Sequence, residues 1–116
     1  KIMVFAIDLD GTLLDSNGKI SDNNRNAVIE LEKKEHIVCI ITGRKKDECT
    51  SHIESLRIKD FGGALICSDG QYTYDYSNQS FFSYGYLSGR ESFDYLFRCH
   101  NVHKIKVIGE RRLFRF

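Results

Sequence analysis

Asp8 and Asp10 stand two residues apart at the end of the apolar run Phe5-Ala6-Ile7-Asp8-Leu9-Asp10-Gly11-Thr12-Leu13-Leu14. In an extended strand, side chains two positions apart share a face, so both carboxylates project from one side of the strand's carboxyl end. Like charges held this close suppress each other's ionisation unless a cation neutralises them. A hard divalent ion meets that demand, and a carboxylate beside such an ion points to phosphoryl chemistry. Asp8 is then the candidate nucleophile. Asp10 is the candidate acid that protonates the leaving oxygen and the base that activates the water which follows. Gly11 gives the tight turn, and Thr12 with nearby backbone amides can orient the transferred group. Asp-Gly after an apolar strand is also an ordinary turn signal, so the reading needs a second element.

Thr42-Gly43-Arg44 supplies one, because it closes the next apolar run, Ile37 to Ile41. Adjacent parallel strands end on the same side of a sheet, where ligands bind in α/β folds. The Thr42 hydroxyl and the amides after it can bind a phosphoryl oxygen, and Gly43 permits close approach. Arg44 is a candidate anchor for the loop or a contact to the anion. Asp69, in Ser68-Asp69-Gly70-Gln71 after a third apolar run, is a candidate rim residue, with a simple turn as the alternative.

These residues require elements to position them. Ile2 to Leu9 reads as a strand covered on both faces. Ser21 is an N-cap for a helix reaching about Lys34, with Ala27, Val28 and Leu31 along one side. A second strand spans Ile37 to Ile41. A second helix covers Asp47 to Leu56, with Cys49, Ile53 and Leu56 inward. Ala64 to Cys67 reads as a third strand. Strand, helix, strand, helix, strand is the rhythm of a Rossmann-like α/β fold, a parallel sheet with helical crossovers. Alternating Tyr72, Tyr74 and Tyr76, then an extended piece near Phe81 to Gly85, predict a hairpin packed through its aromatics. Ser88 and Glu91 form a capping box for a helix carrying Phe93, Leu96 and Phe97 and ending near Cys99. Lys104 to Ile108 and Arg111 to Phe116 bracket Gly109-Glu110 as two antiparallel strands. Residues 1–85 are therefore read as one core portion, and residues 86–116 as the beginning of something outside its sheet.

Composition narrows the function. The chain of 116 residues has 17 basic and 16 acidic side chains, a formal charge of +1. With both signs interspersed, a nucleic-acid surface driven by bulk charge is excluded. The basic pairs Lys45-Lys46, Lys104/Lys106 and Arg111-Arg112 read as solvated surface. Cys39, Cys49, Cys67 and Cys99 lack metal-ligand spacing, and free thiols in a reducing cytoplasm are expected. The scattered His36, His52, His100 and His103 make no metal site. No apolar stretch is long enough to span a membrane.

Asp8-Leu9-Asp10-Gly11-Thr12-Leu13-Leu14 resembles the first motif of the haloacid dehalogenase-like (HAD) phosphatases. Ile40-Ile41-Thr42-Gly43-Arg44 resembles their second motif in the Cof-type subgroup. Ala64 to Gly70 followed by Tyr74-Asp75 resembles that subgroup near its exit towards an inserted α/β cap. The resemblance implies a Mg²⁺-dependent phosphomonoester hydrolase with an aspartyl-phosphate intermediate, acting on a small sugar phosphate or related phosphorylated metabolite. It assigns Asp8 as nucleophile and metal ligand, and Asp10 as acid/base whose backbone carbonyl also touches the ion. Thr42 becomes the phosphate-binding residue. Asp69 departs from the asparagine common in the subgroup. A later lysine and a later acidic Gly-Asp motif, which the family uses, have no clear counterpart, so the chain is expected to be the amino-terminal part of a longer protein and inactive alone. Two alternatives stay open: a truncated protein that binds without turnover, and a phosphomutase relative.

Overall fold

The computed structural model describes residues 1–83, 96, 98, 105–108 and 113–115. Three apolar runs form parallel strands: β1 (Val4–Asp8), β2 (Ile37–Ile41) and β3 (Ala64–Cys67). Two helices connect them, α1 (Asp22–Lys33) and α2 (Lys46–Ser55). Antiparallel strands β4 (Tyr72–Asp75) and β5 (Ser80–Ser83) follow, then β6 (Ile105–Ile108) and β7 (Leu113–Arg115). All seven share one sheet in the order β5-β4-β3-β2-β1-β6-β7. The Rossmann-like α/β expectation is met.

β1 lies mid-sheet, and its near-continuous apolar sequence follows from that position. Ile7, Val38, Ile40, Leu65 and Cys67 face one side, where Val28 of α1 and Cys49 and Ile53 of α2 pack on them. Val4, Ala6, Cys39, Ala64 and Ile66 face the other side, with the helical, fully buried Leu96. Burying each large aliphatic side chain contributes about 1.5–3 kcal/mol, so a strand covered twice carries much of the fold.

Ser21 caps α1 as expected, its hydroxyl accepting from the Asn24 amide at 3.1 Å. The inward face differs from the expectation. Val28 is buried and Leu31 half-buried, but Ala27 is exposed and Glu32 takes the next inward position. Four residues separate Val28 from Glu32, just over one turn, so helical geometry carries the acid inward wherever Val28 points.

The aromatic hairpin forms, its second strand at Ser80–Ser83; the rest of the extended piece expected to Gly85 lies outside the described residues. Tyr74 and Phe81 are paired across the strands with ring centroids 4.8 Å apart, and Tyr72 stacks on Phe81 at 5.8 Å. The last two strands also pair antiparallel, but their placement corrects the expectation that they leave the first sheet. β6 lies parallel to β1, Val4 opposite Ile105 and Ile7 opposite Ile108. β1 has two backbone edges, and with β2 on one the other is open to any strand of matching direction. The expected capping box and most of its helix lie outside the described residues, as does Cys99. Cys39, Cys49 and Cys67 are buried free thiols. Burial raises all three thiol pKa values, Cys49 to about 11. No helix among the described residues is long and apolar enough to cross a membrane.

Candidate active site

The three parallel strands end level with one another: Asp8 is opposite Ile41, and Ile41 is opposite Ile66. Thr42 extends this ladder by donating its amide to the Ile66 carbonyl at 2.9 Å. The residues that follow each strand are thereby delivered to one edge. Asp8, Thr42, Gly43 and Asp69 line a single cavity there of about 270 Å³.

β1 stops at Asp8 because Asp10-Gly11 turns the chain. Asp10 (φ −70°, ψ 127°) and Gly11 (φ 77°, ψ 0°) have the dihedrals of a type II turn, whose third position requires positive φ. The Leu14 amide closes the loop on the Leu9 carbonyl at 2.9 Å. Leu9 and Leu13 are buried beneath it and anchor it to the core. The Thr12 hydroxyl oxygen is buried without a hydrogen-bond partner among the described residues. A polar atom left in that state costs on the order of 1–3 kcal/mol, which a bound oxygen or water removes.

Asp10 points to Arg44. Its two oxygens accept from Arg44 Nε at 2.8 Å and Nη2 at 2.7 Å, a two-pronged ion pair across 34 positions of sequence. These hydrogen bonds hold the Asp10 carboxyl below the usual carboxylate range and push the Arg44 guanidinium up. The pair is largely exposed, so its contribution to stability is small. Its effect is on direction: it fixes where both side chains point. Neither Asp10, Thr12 nor Arg44 is among the cavity-lining residues.

The Thr42 hydroxyl accepts from the Arg44 amide at 3.1 Å, which leaves its own proton available to a ligand. Thr42 is buried and Gly43 exposed above it. A Cβ at Gly43 would lie 2.7 Å from Asp69 Oδ1, so glycine is what lets the Asp69 carboxylate keep this position over the β2–α2 loop. The turn is tied to that loop by the Ser68 amide, which donates to the Arg44 carbonyl at 2.8 Å. Ser68, Asp69 and Gly70 all have positive φ (51°, 57° and 89°), and Asp-Gly is the sequence such hairpin turns favour.

Among the described residues, no three His, Cys, Asp or Glu side chains come together to hold a metal ion. His36 is spent structurally, its Nδ1 accepting the Met3 amide at 3.2 Å. A second cavity of about 450 Å³ adjoins the first through Gly43 and Asp69, and Lys45, Lys46, Gln71 and Tyr72 help line it. Reading Lys45-Lys46 as plain surface charge missed this groove. Their position directly after Thr42-Gly43-Arg44 was the available signal. The Asp10–Arg44 pair carried no comparable signal, since nothing local joins the two positions.

A family model described as haloacid dehalogenase-like hydrolase matches residues 5–112. The chain is 43% identical over 74 residues to the 5-amino-6-(5-phospho-D-ribitylamino)uracil phosphatase YcsE of Bacillus subtilis (strain 168), covering 64% of this chain and 28% of that protein. It is 36% identical over 72 residues to the phosphatase YwpJ of the same organism, covering 62% of this chain and 24% of that protein. A haloacid dehalogenase-like hydrolase from Bacteroides thetaiotaomicron superposes with a TM-score of 0.68 at 20% identity, over 99% of this chain and 44% of that one. A second such hydrolase, from B. subtilis, gives 0.60 at 24% identity over 97% and 38%. The chain thus spans between a quarter and a half of the length of these proteins.

Proposed function

The chain belongs to the haloacid dehalogenase-like hydrolases, and on that premise we propose that the whole protein is a Mg²⁺-dependent phosphomonoester hydrolase. Its substrate in this reading is a small sugar phosphate or a related phosphorylated metabolite. The observation that carries the reading is the cavity in which Asp8, Thr42 and Gly43 meet at the level ends of β1 and β2.

Asp8 is the nucleophile. A carboxylate oxygen attacks phosphorus, the bond from phosphorus to the ester oxygen breaks, and that oxygen takes a proton from Asp10 as it leaves. Water then attacks the aspartyl-phosphate, Asp10 accepts its proton, and the Asp8 carboxylate is restored with release of phosphate. Thr42 donates its hydroxyl to a phosphoryl oxygen, and exposed backbone at Gly43 allows the group to seat closely. Thr12 offers its buried hydroxyl oxygen from the turn. The pair seen with Arg44 keeps Asp10 ionised, the state of a base. Proton donation therefore requires Arg44 to release at least one Asp10 oxygen as the ester enters.

The donor set suits Mg²⁺. This ion takes oxygen ligands, and commonly one or two carboxylates with waters and substrate phosphate oxygens complete its shell. Asp8 offers a carboxylate at the cavity, and Asp10 a backbone carbonyl in the turn, its side chain being engaged with Arg44. When bound, the ion supplies charge neutralisation for the phosphoryl oxygens.

Residues 1–85 form the amino-terminal part of the core in this reading, and the stretch from residue 86 leads towards an inserted cap. The pairing of β6 with β1 favours counting that hairpin with the core sheet. A cytoplasmic setting is part of the proposal, supported by three buried free thiols. The test is phosphate release from a phosphomonoester panel by the whole protein and its Asp8→Asn form, with and without Mg²⁺. Loss of about 10⁴-fold or more in kcat on substitution is expected for a nucleophile. Equal rates reject Asp8.

A further inference from the structure

The larger cavity beside the phosphoryl pocket has no assigned role, and its wall chemistry is specific. It meets the phosphoryl pocket at Gly43 and Asp69, which line both. Any ester bound with its phosphorus near Asp8 must pass its alcohol portion across that junction or out to solvent. Asp69 stands there with its Oδ1 directly above Gly43. Its backbone is held by two ties on Ser68: the Ser68 amide donates to Arg44 O at 2.8 Å, and the Gln71 amide donates to Ser68 O at 3.1 Å. The Asp69 carboxylate makes no hydrogen bond or ion pair among the described residues.

An ionised carboxylate only accepts hydrogen bonds. Set beside a phosphate, it repels a second anionic group and calls for donors. The groove is lined by two cationic residues, Lys45 and Lys46, and two acidic ones, Asp47 and Asp69, so its formal charges balance. Lys46 Nζ is also drawn over the Tyr74 ring, 4.6 Å from its centroid. Balanced charge of this kind provides no field for another phosphate. It does provide both donors and acceptors among its lining residues.

Resting on the phosphatase reading above, we propose that this groove is the leaving-group subsite and that Asp69 selects phosphomonoesters of neutral, polyhydroxylated alcohols. Its carboxylate accepts a hydroxyl on a carbon next to the ester-bearing carbon. It discriminates against esters that carry a carboxylate or a second phosphate there.

The experiment uses the whole protein with three esters of similar size: glycerol 3-phosphate, n-propyl phosphate and 3-phosphoglycerate. The wild type should favour glycerol 3-phosphate over each of the others by about tenfold or more in kcat/KM. Over propyl phosphate the cause is the hydrogen bond of the glycerol hydroxyl to a charged group; over 3-phosphoglycerate, which keeps that hydroxyl, it is repulsion of the added carboxylate. Asp69→Ala should narrow the gap between glycerol 3-phosphate and propyl phosphate by about tenfold. The near-isosteric Asp69→Asn, which keeps the fold safest, should instead narrow the gap to 3-phosphoglycerate by a similar factor. Ratios within one variant are independent of how much active protein it yields. Unchanged ratios in both variants, with esters still hydrolysed, overturn the subsite and leave the phosphatase reading standing. No hydrolysis of any ester by the wild type overturns both.

Discussion

Asp69 and Asp75 sit at opposite ends of β4 and use their carboxylates in opposite ways. Asp75, 1% exposed, accepts from the Ser77 amide at 3.1 Å, the Ser77 hydroxyl at 2.8 Å and the Asn78 side-chain amide at 3.1 Å. Its charge is consumed by its own turn. Asp69 occupies a turn tied through its neighbours' backbone, and its oxygens face a cavity. The difference teaches where to seek chemistry in this sheet. An acid satisfied by the residues after it maintains a loop, whereas an acid held in place by others and left facing open space is available to a ligand.

Glu32 tests that rule most severely, because it fits neither case. It is 3% exposed, and both its oxygens lack a hydrogen-bond partner among the described residues. Burial pushes its carboxyl up to about 7 from an ordinary value near 4.5, with Arg57 opposing and Asp60 reinforcing the shift. The folded state therefore binds a proton that the unfolded state releases. This group's penalty is absent below the unfolded value, and stability falls as pH rises through the window between the two. Glu32→Gln should match the wild type near pH 4 and exceed it by at most about 3 kcal/mol near pH 8, in denaturant unfolding of the whole protein. The same difference at both pH values would show that Glu32 is answered inside the fold, and the comparison would lose its third member.

Asp75→Ala comes next in size. Removing the acceptor strands the Ser77 amide and the Asn78 side chain, so a loss of about 2 kcal/mol is expected. Thermal unfolding reads that loss, while kcat/KM per folded molecule should hold. A fall in kcat/KM without a fall in stability would place Asp75 among the functional acids. Gly43→Ala reverses the pattern. Its new Cβ would meet Asp69 Oδ1 at 2.7 Å and displace the carboxylate at the junction of the two cavities. We expect about a tenfold loss in kcat/KM, equivalent to roughly 1.4 kcal/mol, with little change in unfolding temperature. Unchanged turnover would mean that the junction tolerates displacement.

Strand boundaries were legible where composition was extreme. Ile37 to Ile41 and Ala64 to Cys67 are apolar runs ended by polar or glycine turns, and their limits match β2 and β3 residue for residue. The tyrosine alternation announced β4 because period-two patterning has few other causes. Partner choice was not legible. β6 beside β1 depends on an open backbone edge, and no side-chain pattern in Ile105–Ile108 specifies it. Nothing in the sequence marks Glu32 as buried, since a lone acid on a helix is usually solvated, and only the tertiary packing of Val28 turns it inward. At the site, the sequence marked Asp8, Thr42, Gly43 and Asp69 by their place after apolar runs, and those four line one cavity. The contact between Arg44 and Asp10 joins two turns from different strands, so it emerges only once the strands are level.

The central claim is that the edge shared by β1 and β2 transfers phosphorus to Asp8. Acid quenching of the whole protein during turnover, followed by borohydride reduction and peptide mass spectrometry, addresses it directly. An acyl-phosphate is reduced under those conditions and a free carboxylate is not. Conversion of Asp8 to homoserine, with Asp10 and Asp69 intact, is the predicted result. Turnover that leaves Asp8 unreduced while another residue is converted would contradict the account.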